Sequence, residues 1–298
     1  MRILIAGREG QLARALIARL AGHEITALEP PALDLTSRDS ISAAIAAAQP
    51  AFVINAAAYT AVDRAEDDVA LARAVNATGA GWLAEAAAER GAPFVHVSTD
   101  YVFAGDKGTP YVETDPVAPL GVYGATKEEG ERLVLAANPR SAVIRTAWVC
   151  SPDGVNFVKT MLRLAKERDE IRVVADQQGA PTFAVDLADA IAGMIPRLMA
   201  AELGDEAFGI FHLSGAPYTT WHGFTAEILA QAAKRGHPVP RLTPIATADY
   251  PTKAKRPSDG RMDCMKIGRV HGIQPADWRV SLGHCLDVLV GPVKENTP

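Results

Sequence analysis

Short apolar runs alternate with stretches of helical spacing from the first residues onward, and this pattern restricts the fold of the chain more than any other feature. Arg2–Ala6 (R-I-L-I-A) is a β-branched run, Gly7 and Gly10 punctuate a turn, and Leu12, Leu16 and Leu20 recur at helical spacing. Further strands are expected over residues 25–28, 51–56, 94–97 and 142–146, with an Ala-rich helical region over 69–90 that breaks near 78–81. Strands that alternate with helices in this way imply a doubly wound, mostly parallel sheet of the α/β class. Beyond Trp148 the spacing predicts helices over 156–166, 185–198 and 221–233 and strands over 171–174 and 208–213. From His237 prolines recur and the pattern loosens, as expected of a smaller, discontinuous C-terminal lobe.

At 298 residues the chain can bury a core that needs no covalent staple. A net charge of -5, with 22% charged and 48% hydrophobic residues, argues against disorder and against a nucleic-acid partner. Cys150, Cys264 and Cys285 are odd in number and far apart, which argues against a disulfide framework and a zinc site. The first apolar run ends at Gly7 and is too short for a signal peptide, and no segment reaches membrane-spanning length, so a cytoplasmic location is expected.

Three stretches carry chemistry. The turn G-R-E-G-Q-L-A places Gly7, Gly10, Gln11 and Leu12 where a backbone can approach a pyrophosphate at a helix N-terminus. Glu29, at the end of the second strand, stands where a carboxylate accepts from adenosine ribose hydroxyls and repels a 2′-phosphate; a solvated loop glutamate is the competing reading. Asp34 and Leu35 either flank an adenine or, for Asp34, help to cap the helix that begins near Ser37. The alanines after the third strand, Ala57 and Ala58, leave room for a ligand against the strand end; simple tight packing is the competing reading.

The third stretch runs from Val95 to Lys127. Ser98 and Thr99 fall at the carboxyl end of the fourth strand, and Tyr123 and Lys127 are four residues apart on the helix that follows. A hydroxyl, a phenol and an ammonium around one carbonyl suit proton transfer, with the cation expected to draw the phenol down from its ordinary pKa of roughly 10.

With these motifs in register, the sequence resembles the extended short-chain dehydrogenase/reductases and, within them, the dTDP-4-dehydrorhamnose reductase family. The resemblance extends over N-A-A-A-Y-T-A-V-D at 55–63, S-T-D-Y-V-F at 98–103, P-x-x-x-Y-G-x-T-K at 119–127, R-T-A-W-V at 145–149, N-F-V-K-T-M-L at 156–162 and D-Q-x-G-A-P-T at 176–182. It implies a Rossmann-like domain over 1–147, to which segments near 156–175 and 184–214 return, with 148–155, 176–183 and 215–298 mainly a substrate lobe. It implies NADH or NADPH lying along Gly10, Gln11, Leu12, Glu29, Asp34, Leu35, Ala58, Tyr59, Thr60, Tyr123 and Lys127. Thr99, Tyr123 and Lys127 would be catalytic. Thr99, Asp100, Tyr123 and Trp148 would face a dTDP-4-keto-6-deoxy sugar, with Trp148 as an apolar wall; a core tryptophan is the competing reading. The implied role is in nucleotide-sugar and polysaccharide biosynthesis, as a monomer or homodimer. Other members of the superfamily are epimerases, dehydratases or silent cofactor-binding subunits. Asp259 and Gly260 depart from the usual Asn and Ser, and Arg256 and Arg261 nearby are candidates for the diphosphate. Some relatives hold magnesium at a dimer contact through C-terminal glutamates; those acids do not align here, and no metal is assigned.

Overall fold

The computed structural model describes residues 1–293. Six parallel strands form the main sheet: β1 (Arg2–Ala6), β2 (Glu24–Leu28), β3 (Phe52–Asn55), β4 (Phe94–Thr99), β5 (Ser141–Thr146) and the edge strand Gly209–His212. Their spatial order is Gly209–His212, β5, β4, β3, β1, β2. The chain moves outward from β1 to β2 and then returns to the other side of β1 for β3, so the order reverses between β1 and β3. That reversal opens a crevice at the carboxyl ends of these strands.

The alternation within β1 shows why both faces are covered. Ile3 and Ile5 join a core with Leu12 and Leu16 of the helix Gln11–Arg19 and with Leu187 and Ile191 of the helix Ala184–Ala200. Leu4 and Ala6 face the opposite core, against Ile41 of the helix Arg38–Ala48 and Leu83 of the helix Ala80–Glu89. Successive strand residues point to opposite sides, so an unbroken apolar run is what a sheet sandwiched between helices requires.

The expected break in the Ala-rich region is real but does not interrupt the helix. Helices Val69–Arg73 and Ala80–Glu89 are joined by a wider π-helical turn, Ala74–Gly79, that keeps the chain winding. Gly79 lies directly against the backbone of Leu35, where a Cβ would overlap.

The lobe has a core of its own, and its membership corrects the expected domain division. The helix Phe157–Glu167 and the strand Glu170–Val174 do not return to the main sheet. Val158, Met161, Leu162 and Ile171 pack with Phe183, Phe224, Ile228, Trp278 and Leu282, and Glu170–Val174 pairs in parallel with Arg241–Ile245. An amphipathic helix goes to whichever apolar surface faces it in space, and that information is absent from its own periodicity. Residues 184–214 do return, through the helix Ala184–Ala200 and the edge strand, and the helix Met265–His271 joins them by burying Ile267. The lobe range expected to reach residue 298 is described as far as residue 293. Within the described residues no helix is long and apolar enough to cross a membrane, and no group of three or more His, Cys, Asp or Glu side chains is placed to hold a metal ion.

Candidate active site

The glycine turn leads into the sheet-end crevice. Gly7 has a φ of 100° and donates from its backbone N–H to Leu28 O at 2.7 Å, a conformation that favours glycine. Gly10 is the N-cap of the helix Gln11–Arg19, no side chain caps that helix end, and a Cβ built at Gly10 would meet open space. The first-turn N–H groups are therefore left for an anion, which is the fit a dinucleotide pyrophosphate requires. Glu29 points back at this turn, its Oε2 accepting from Glu9 N–H at 3.1 Å.

Other expected cofactor residues have structural partners of their own. Asp34 Oδ1 accepts from the Thr36 backbone N–H at 2.8 Å and hydroxyl at 2.7 Å, which holds its carboxyl below the usual range. The helix cap is Ser37, not Asp34. Leu35 is buried in the core. Leu12 is buried too, and Gln11 accepts from Asn156 Nδ2 at 2.9 Å, so two motifs separated by 145 residues meet.

Asn76 decides the shape of the loop carrying Ala58, Tyr59 and Thr60. Its Oδ1 accepts from Tyr59 N–H at 2.8 Å, and its Nδ2 donates to Tyr59 O at 3.1 Å and Thr126 Oγ1 at 3.2 Å. One buried amide thus ties the loop to the helix Val122–Ala137. Tyr59 adds a bond from its hydroxyl to Asp68 at 2.7 Å.

Of the three polar groups expected to surround a carbonyl, Thr99 and Tyr123 lie within hydrogen-bonding reach of each other at the end of β4. Thr99 is buried as the last residue of that strand, and Tyr123 sits in the first turn of the helix Val122–Ala137. Gly124 lets this turn press against Tyr101 O, where a Cβ would overlap, and the Tyr101 and Tyr123 rings meet edge to face at 5.6 Å. The Tyr123 phenol is pushed up to about 12, by burial first and then by the Asp100 carboxylate, while a hydrogen bond with Thr99 acts the other way.

That value corrects the expectation that Lys127 acidifies the phenol. The Lys127 ammonium is turned to β4, donating to Val97 O at 2.6 Å and lying 3.2 Å from His96 Nε2. Burial lowers Lys127 to about 8, opposed by Glu131.

Beneath these residues lies a polar layer to which the sequence reading assigned no role. His96 is buried between Lys127 and Asn55 Nδ2, the latter at 3.2 Å, and desolvation followed by the Lys127 charge holds it well below the ordinary histidine value. Next to it, Glu131 accepts from Ser98 Oγ at 2.5 Å and from Arg145 Nε and Nη2 at 2.9 and 2.7 Å. His and Asn within strands gave no signal, because only the tertiary fold shows that they face a lysine rather than solvent.

Trp148 joins the sheet end to the lobe. It is a non-glycine residue with a φ of 49°, an uncommon conformation for a bulky side chain. Its indole stacks on Trp221 at 3.6 Å and lies against Gly179, where a Cβ would overlap the ring. Trp221 also lines a cleft of about 810 Å³, together with Phe157, Arg163, Arg168, Arg172, Gln177, Tyr250 and Arg256 among others. The cleft went unrecognised in the sequence because its arginines come from separate segments and read individually as solvated. Of the two arginines singled out, Arg256 lines the cleft and is bound through Nη2 to Asp63 at 2.8 Å. Arg261 is bound through Nε and Nη2 to Asp259 at 2.8 and 2.7 Å.

Comparison with known proteins extends this picture. The family model described as the RmlD substrate binding domain matches residues 1–290. The chain is 46% identical over 286 residues to a dTDP-4-dehydrorhamnose reductase of Aggregatibacter actinomycetemcomitans, covering 94% of this chain and 97% of that protein. It is similar to the crystal structure of a dTDP-4-dehydrorhamnose reductase from Clostridium acetobutylicum, with a TM-score of 0.90 and 38% identity over 97% of this chain and 99% of that one. A Bacillus anthracis dTDP-4-dehydrorhamnose reductase in complex with NADP aligns with a TM-score of 0.86 and 34% identity, covering 95% of this chain and 98% of that one.

Proposed function

The chain belongs to the dTDP-4-dehydrorhamnose reductase family, and from that premise we propose how it reduces the C4 ketone of dTDP-4-dehydro-6-deoxy-L-mannose to dTDP-L-rhamnose with NADH or NADPH. The observation that carries the mechanism is the meeting of Thr99 and Tyr123 at the carboxyl end of β4, in the same sheet whose reversal point bears the glycine turn.

The turn at Gly7 and Gly10 and the open N-terminus of the helix Gln11–Arg19 would hold the pyrophosphate. Glu29 would take the adenosine ribose, and the loop at Ala58, Tyr59 and Thr60 would border the dinucleotide. Bound there, the reduced nicotinamide supplies the hydride that C4 receives. Tyr123 gives its proton to the oxygen as the carbonyl becomes an alkoxide. Its raised pKa keeps the phenol loaded at working pH, and an alkoxide is basic enough to take the proton. Thr99 offers a second hydrogen bond to the same oxygen. An ammonium has three N–H donors; one of those on Lys127 reaches Val97 O, which leaves donors for a ribose hydroxyl. Trp148 would present an apolar face to the deoxysugar, and the arginine-lined cleft beside Trp221 suits the nucleotide diphosphate.

The test is direct. Purified protein with NADH or NADPH and the keto sugar should consume cofactor and yield dTDP-L-rhamnose. Tyr123→Phe should lower kcat by roughly 10²–10⁴-fold while cofactor binding stays intact. Absence of turnover, or a fully active Tyr123→Phe, would reject the mechanism.

A further inference from the structure

Thr99 has one hydroxyl proton and two lone pairs. Its Oγ1 accepts from Tyr101 N–H at 3.2 Å and stands 3.0 Å from Asp100 Oδ1, to which it donates. When Asp100 is a carboxylate, it competes for the one Thr99 proton with the Tyr123 phenol and with a substrate oxygen, and draws that proton inward. When Asp100 is a carboxylic acid, the acid donates to the second lone pair of Oγ1, and the Thr99 proton is free to point outward.

The surroundings of Asp100 favour the acid form. It is 3% exposed, and its Oδ2 fits against the bare Cα of Gly260, where a Cβ would overlap it. Burial is the largest influence on its ionisation and raises it to about 7, against the hydrogen bonds from Thr99 and from the backbone of Asp100 and Tyr101, which favour the carboxylate; no cation contributes. The titratable groups that face it are the Tyr101 phenol on its own turn and the Tyr123 phenol from the helix Val122–Ala137. The residues flanking Gly260, Asp259 and Arg261, neutralise each other in a two-point ion pair. Lys127, one turn beyond Tyr123, is engaged with Val97 O.

We propose that Asp100 is a positioning residue for ketone reduction: as the acid it donates to Thr99 Oγ1 and so directs the Thr99 proton onto the C4 oxygen beside Tyr123. This rests on the reductase reading above. No proton leaves Asp100 in the step. The O–H bond of Tyr123 breaks, the C4 hydroxyl forms, and the hydrogens of Asp100 and Thr99 stay on their own oxygens.

The experiment is the pH dependence of kcat/KM for the keto sugar, from about pH 6 to about pH 8.5, in wild type, Asp100→Asn, Thr99→Val and the double variant. The ionisation of Asp100 near 7 removes roughly thirty-fold of activity over that interval, on top of a shallower limb from Lys127 near 8 that all four proteins share. Asparagine at 100 offers a permanent N–H to Thr99, so its profile should lose that roughly thirty-fold component. Without the Thr99 hydroxyl, Asp100 has nothing to act through, so Thr99→Val and the double variant should share one profile that lacks the Asp100 limb. Should Asp100→Asn fail to fold, as judged by thermal unfolding and NADPH binding, wild type against Thr99→Val still decides the matter. An Asp100→Asn profile that falls like wild type, or a Thr99→Val profile that keeps the Asp100 limb, overturns the role of Asp100 while leaving the reductase reading standing. A wild type inert toward the keto sugar overturns both.

Discussion

Replacing Glu131 by Ala is the perturbation that most directly tests the layer under the active site. Glu131 and Arg145 face each other with side chains 2% and 3% exposed, at 2.7 Å. Removing the carboxylate leaves the guanidinium with a long 3.5 Å contact to His212 Nε2 and the Phe103 ring 5.0 Å away, and strips Ser98 of its acceptor. An uncompensated buried charge of this kind costs about 3–5 kcal/mol. For a chain of this size, with a urea m-value of about 3 kcal/mol/M, that moves the unfolding midpoint down by roughly 1–1.7 M. Equilibrium unfolding followed by far-ultraviolet circular dichroism and by tryptophan fluorescence measures it. The double change Glu131→Leu with Arg145→Met removes both charges, fills similar volume and should recover most of the loss, since an apolar pair does not carry the desolvation cost. If Glu131→Ala costs under about 1 kcal/mol, or the double variant is no better than the single one, the charge-burial reasoning is wrong.

Two further outcomes follow from single groups. Asp100 is raised from its unfolded value to about 7 by burial, so between about pH 4 and 7 the folded state holds a proton that the unfolded state has released. Its contribution to stability is therefore full below about pH 4 and lost as pH rises through about 7, by at most about 4 kcal/mol. Thermal midpoints across that window should fall more steeply in wild type than in Asp100→Asn, and parallel curves would contradict the burial argument. Glu29, aimed at the glycine turn, should oppose a 2′-phosphate: Glu29→Ser should raise the NADPH-to-NADH ratio of kcat/KM by about tenfold, and an unchanged ratio would remove Glu29 from cofactor selection.

Local pattern alone determined the alternation of strand and helix, the glycine turn, the strand-end position of Thr99 and the shared helix of Tyr123 and Lys127. Each depends on periodicities of two or 3.6 residues or on a backbone conformation that few residues tolerate, and these act over a handful of neighbours. Tertiary structure decided the rest. Burial and Asp100 raise the Tyr123 phenol, and Lys127 turns to Val97 O and lies beside the His96 ring, because three elements converge on them. The helix Phe157–Glu167 joined the lobe, and its face became one wall of an arginine-lined cleft with residues some ninety positions away. Asn76 became the latch between the Tyr59 loop and Thr126. Charge, solvation and hydrogen-bond partnership are properties of surroundings, and surroundings exist only once distant segments have packed together.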